Sequence, residues 1–219
     1  MGGVHPVHIL WSLTAVLLLS FSFRIVQGIV GFISKHHVRY TVYYWGVVVI
    51  GASLLMKHNY VYSTPENVMT MLPLVVIILI VNMLISKSSG YRPEGLFNRI
   101  QFIVAFPVLE EAVFRGLALP LLVEIPALGQ LHSIPYVSQI SWAVVITALL
   151  FAVSHLQYYK LNAQSIRFML FACSGGIVFG IIAQVTESIL LTVPLHIAFN
   201  GSAAVYAYFN GKKSQSVRS

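Results

Sequence analysis

Seven stretches of this chain, at residues 7–33, 40–56, 68–86, 100–123, 137–158, 166–186 and 189–209, are apolar runs of membrane length bounded by basic, proline, glycine or polar breaks. A membrane-crossing helix needs about 20 predominantly apolar residues. The pattern therefore predicts an all-α protein, a polytopic transmembrane helix bundle of about seven spans. The count extends to six or eight because 7–33 is long enough to break near Gly28 and 40–56 is short. Composition agrees, being 58% hydrophobic and only 9% charged, where a soluble domain carries roughly 25% charged residues. Nothing the size of a soluble domain is left once the runs are removed, so residues 1–219 read as a single integral membrane domain.

The loops set an orientation. Those at 34–39, 87–99 and 159–167, with the tail after 209, carry Lys35, Arg39, Lys87, Arg92, Arg99, Lys160, Arg167, Lys212, Lys213 and Arg218, whereas the alternate loops carry Lys57 alone. Basic residues collect on the cytoplasmic side, which places the N-terminus outside and the C-terminus in the cytoplasm. The net charge of +7 thus comes from loops and does not indicate a nucleic-acid partner. No basic stretch precedes the first run, so a cleaved signal peptide is not expected. Trp11, Tyr43, Tyr44, Trp45, Tyr136 and Trp142, near run ends, read as interfacial belt residues, and Arg24 as a snorkelling base. The lone Cys173 has no partner for an internal disulfide and reads as a small core residue.

Against that background a few polar groups stand out. The chain has six glutamates and no aspartate, and two of the six, Glu110 and Glu111, lie with Arg115 inside the run 100–123. A charge at a helix centre in the bilayer costs about 2.5–3.5 kcal/mol on insertion scales, so such groups are usually paired, inward-facing and functional. Glu111 and Arg115 are four residues apart on one helix face and can neutralise each other. Glu110 points about 100° away and is left for chemistry.

Two further pairs share the four-residue spacing, Phe151 with His155 and His196 with Asn200. Singly, each of these polar residues is ordinary glue between helices. Together they make a hydrolytic set, in which Glu110 takes a proton from an attacking water, His155 orients that water directly or through a metal, and His196 and Asn200 hold the oxyanion. Pro107, three residues before Glu110, loosens the helix there. No H-E-x-x-H occurs, so a metal would need ligands from three helices, with Glu110, His155 and His196 the candidates. At 1.5 Å per residue Glu110 lies about 15 Å from the cytoplasmic end of its run, so the cavity should open to the cytoplasm or sideways into that leaflet. A proton-coupled transporter is disfavoured, because the seven runs show no internal repeat and the polar groups cluster in the last four.

The ordered set E-E-x-x-x-R (Glu110, Glu111, Arg115), F-x-x-x-H (Phe151, His155) and H-x-x-x-N (His196, Asn200), with Thr186-Glu187-Ser188-Ile189 leading into the last motif, resembles the CAAX protease and bacteriocin-processing (CPBP, or Abi) family of intramembrane proteases. The resemblance implies that residues 100–209 are the catalytic helices and 1–99 additional transmembrane helices. It implies an endopeptidase for membrane-embedded or membrane-adjacent peptides, with Glu110 activating water beside His155, His196 and Asn200 forming the oxyanion hole, Glu111 and Arg115 in support, and Phe151 as packing. The family label implies Zn²⁺, while a metal-free glutamate mechanism is the alternative, and the residues themselves leave both open. The modest length favours a multi-pass protein of a bacterial cell membrane. A non-proteolytic role in bacteriocin self-immunity, or as partner of a membrane sensor, is the second function the resemblance carries. The chain's end, KSQSVRS, lacks a C-a-a-X signal, so the protein is not expected to be prenylated itself.

Overall fold

The computed structural model describes residues 6–88, 93–134, 138–158 and 160–216. It is all-α but for one hairpin. Helices α1 (Pro6–Ser20), α2 (Ser22–Ile33), α3 (Thr41–Leu55) and α4 (Val68–Ile85) lead into a long helical run, α5, over residues 95–123. A short antiparallel hairpin follows, Leu131–Ile134 against Ser138–Ser141, and then α6 (Trp142–Ser154), α7 (Ala163–Thr186) and α8 (Thr192–Ser216). Lys35–Leu55, Val68–Ile85 and Ala163–Thr186 are long and apolar enough to cross a membrane, and the bent α1–α2 pair makes a fourth.

The first run does break, but at Phe21 with a 58° bend and not near Gly28. The cause is a side chain inserted into the backbone ladder. In a continuous helix the Arg24 N–H would bond the Ser20 carbonyl; here the Gln157 amide spans the gap, donating from Nε2 to the Ser20 oxygen at 3.0 Å and accepting from the Arg24 N–H at 2.9 Å. A second correction concerns the fifth run: Ser138–Ser141 belong to the hairpin, and the helix starts only at Trp142, where the Ser141 hydroxyl caps the Val144 N–H. Val137 and Tyr136 lie outside the described residues. A third concerns Trp45, which is no belt residue. It is buried against Phe23 and Phe106 and donates from Nε1 to the Ser22 hydroxyl at 2.8 Å. Trp11, Tyr43, Tyr44 and Trp142 are exposed, and so is Arg24, whose guanidinium turns to Gln27.

Loop contacts sort the helix ends into two sets. At one end Gln101 Nε2 donates to the Arg39 carbonyl at 3.3 Å, Arg39 stacks over Phe97, Lys87 over Tyr206 and Arg99 over Tyr208. At the other, the 56–67 loop meets the α7–α8 turn through Glu66 N–H to the Thr186 carbonyl at 2.8 Å and the Ser188 hydroxyl to the Ser63 carbonyl at 2.7 Å. Between them the core is close-packed. Gly176 and Gly180, one turn apart on α7, let that helix sit against Ala148 and Val144 of α6, where a Cβ on Gly180 would lie 2.7 Å from Val144 Cγ1.

Candidate active site

Helix α5 is not a regular α-helix. Gln101–Ala105 and Ala112–Ala118 are wound as π-helix, flanking the α-helical turn and a half Phe106–Glu111 that carries both glutamates. Widened π-turns are rare and frequently sit at functional sites. Two prolines account for where their spare carbonyls go. Phe106 N–H bonds the Gln101 carbonyl, so in the same register the Phe102 carbonyl faces Pro107, which has no N–H; Asn200 Nδ2 donates to that carbonyl at 2.8 Å instead. The Gly116 carbonyl, which would face the donorless Pro120 in an α-helical register, accepts from the Tyr60 N–H at 2.9 Å. The Tyr60 carbonyl in turn accepts from the Ile189 N–H at 3.2 Å, so one loop residue ties α5 to the approach to α8. Glycine is required at 116, because a Cβ there would stand 2.5 Å from Val61 Cγ2.

The two neighbouring glutamates have different fates. Glu111 is fully buried, and its Oε1 accepts from Arg115 Nη1 at 3.0 Å and from His196 Nδ1 at 2.9 Å. Arg115 is buried too, its guanidinium 4.4 Å from the Phe151 ring centre and 5.7 Å from that of Phe179. Phe151 therefore does more than fill space: its ring is a wall for the arginine and meets the edges of both His155 and His196. Glu110 points the other way, into a cavity of about 470 Å³ enclosed by α4 to α8. His155, His196 and Asn200 line the same cavity, whereas Glu111 and Arg115 do not reach it.

Three of the four histidine ring nitrogens have a defined neighbour. His155 Nδ1 lies 2.8 Å from the Phe151 carbonyl, which only accepts, so Nδ1 carries the proton and Nε2 of the neutral ring keeps a lone pair. His196 bridges the glutamates, with Nδ1 on Glu111 and Nε2 3.8 Å from Glu110 Oε2. Since Nδ1 donates to the Glu111 carboxylate, Nε2 can donate only when the ring is an imidazolium. Asn200 spends one amide hydrogen on the Phe102 carbonyl and retains the other. The seven residues of the three sequence motifs are thus brought together, five lining the cavity and Glu111 and Arg115 behind it. As for a metal, no three His, Cys, Asp or Glu side chains among the described residues are grouped to hold one, Glu110, His155 and His196 included.

Sequence reasoning missed Tyr60, which acts through its own backbone, and Gln157, whose side-chain amide bonds backbone groups of the first run; neither carries a motif. It also passed over Asn82, whose signal was visible: it is an amide in the otherwise apolar α4, and it lines the same cavity.

Comparison with known proteins points the same way. The family model for type II CAAX prenyl endopeptidase Rce1-like proteins matches residues 92–202, just over half the chain, from the approach to α5 through Asn200. No curated protein and no solved structure matches the chain.

Proposed function

Because the chain belongs to the Rce1-like family of type II CAAX prenyl endopeptidases, and is thus a membrane-embedded protease, we propose that it hydrolyses a peptide bond held in the α4–α8 cavity by a water that Glu110 deprotonates. The observation that carries this reading is the division of labour between the glutamates: Glu111 is neutralised by Arg115 and His196, while Glu110 faces the cavity. A water between Glu110 and the substrate loses its proton to the carboxylate as its oxygen bonds the scissile carbonyl carbon. His155, whose Nδ1 is held by the Phe151 carbonyl, accepts a hydrogen bond at Nε2 from the O–H that the water keeps. The oxyanion is taken by the remaining amide hydrogen of Asn200 and by Nε2–H of a charged His196. Two carboxylates then face one guanidinium and one imidazolium, so the buried cluster is neutral overall, as a low-dielectric site requires. When the carbon–nitrogen bond breaks, Glu110 returns its proton to the leaving amine.

The two sets of loop contacts support a membrane placement. The runs 40–56, 68–86, 100–123 and 189–209 each have one end in the basic set and the other in the opposite set, which supports alternating crossings with the N-terminus outside, the C-terminus in the cytoplasm, and a cavity entered from the cytoplasm or its leaflet. The substrate is then a peptide at or in that leaflet. The step needs no metal, since a base, a water-orienting imidazole and oxyanion donors all come from the chain.

The test is cleavage of a panel of farnesylated and unmodified membrane peptides by purified protein in detergent, with products identified by mass and with 1,10-phenanthroline present or absent. Cleavage at one bond that is lost in Glu110→Gln and indifferent to the chelator is the expected result. Loss of cleavage with chelator and recovery with Zn²⁺ overturns the metal-free step. No cleavage of any peptide, with Glu110→Gln fully active in cells, favours the immunity or sensor-partner role.

A further inference from the structure

Helix α4 presents Ile78, Val81, Asn82 and Ile85 to the cavity, a stripe at the i, i+3, i+4, i+7 spacing of one helix face. Three of the four are aliphatic. Asn82 is the only amide in Val68–Ile85, a helix whose sole buried residue is Met71 and whose other faces are apolar and exposed. Its amide nitrogen is shielded and has no hydrogen-bond partner among the described residues. An unpaired amide donor in an apolar setting costs about 1–3 kcal/mol, so a structural role would show a partner across the helix interface. The asparagine terminal torsion is broad, and a turn of the amide brings donor or acceptor into the cavity that also holds Glu110 and Asn200.

We propose that Asn82 is a substrate-binding residue, its side-chain amide pairing with a backbone amide of the bound peptide on the α4 wall of the cavity. An amide offers one donor and one acceptor side by side, which is the complement of a peptide group and tolerates any side-chain sequence. The assignment rests on the peptidase reading of the cavity. It lies outside the family-matched stretch, on α4, so it adds a residue from the N-terminal helices to a site otherwise built from 92–202.

The experiment measures binding apart from turnover. A fluorescent farnesylated peptide is titrated into detergent-purified Glu110→Gln protein and into Glu110→Gln/Asn82→Leu, and both are melted without peptide. The expected result is binding weakened about ten-fold by Asn82→Leu, the size of one hydrogen bond, with a melting temperature unchanged or raised because an unpaired polar group has been removed. The weakening should shrink when the peptide's backbone amide at the pairing position is replaced by an ester. Equal affinity in the two proteins overturns the assignment while leaving the peptidase reading intact. A lowered melting temperature with unchanged affinity overturns it in favour of a structural asparagine. Binding that depends on Asn82 in a protein whose wild type cleaves nothing keeps the assignment and removes the peptidase. No binding to either protein removes both.

Discussion

Helices α4 and α5 are both apolar and of membrane length, yet one is α-helical throughout with a single buried residue and the other is distorted twice and buried along its centre. Hydropathy alone would rank α4 as the better span. What separates them is the fate of polar groups. In α4 the one internal proline, Pro73, withholds a donor from the Met69 carbonyl near the helix start but the α-helical register continues unchanged, and one amide faces the cavity. In α5 two π-turns and two prolines release carbonyls that other segments capture, and the buried charges between them are tied to α8. A span that faces lipid is defined by what it lacks, whereas a span that carries a site is defined by connections made out of its own ladder.

That contrast can be broken most forcefully at Arg115. Arg115→Met leaves the Glu111 carboxylate buried with no permanently charged partner, and loss of one partner of a buried pair costs about 3–5 kcal/mol. The variant should melt far below wild type, and the double variant Arg115→Met/Glu111→Gln should recover a large part of the loss. Next comes His155→Gln, which keeps a polar group but removes the oriented Nε2. It should lower kcat/KM about 100-fold, at the low end of what acid–base partners contribute, with a melt close to wild type. Gly116→Ala tests the seam with the 56–67 loop: its Cβ meets Val61, and overpacking of this kind costs about 1–3 kcal/mol. On α4 the matching substitution should do almost nothing. Ile80 is more than half exposed, and Ile80→Val should stay within about 0.5 kcal/mol of wild type. If it destabilises as much as Gly116→Ala, α4 does not face lipid and the comparison fails.

The legible part of this molecule was its chemistry. Glu110, Glu111 and Arg115 announce themselves because ionisable groups are costly in an apolar run, and their four-residue spacing with one residue offset already separates a paired from an unpaired carboxylate. The all-α class followed from run length. The backbone was less legible for a physical reason: which carbonyl a π-turn releases depends on the register of hydrogen bonds, and sequence shows only that Pro107 and Pro120 cannot donate. The Phe102–Asn200 bond follows once that register is known. The bend at Phe21 has no proline or glycine, since its cause, Gln157, lies more than a hundred residues away. Trp45 misled because an aromatic near a run end suits an interface and a core equally well, and only the packing of α2 and α5 decides.

The account rests most heavily on the claim that adjacent glutamates do different work. Glu110→Gln and Glu111→Gln, compared side by side for peptide cleavage and thermal melting in the same detergent, test it directly. The account predicts that Glu110→Gln loses cleavage by about 100-fold or more and melts at or above the wild-type temperature, while Glu111→Gln melts well below it. Retained cleavage in Glu110→Gln, or equal melting of the two variants, would contradict it.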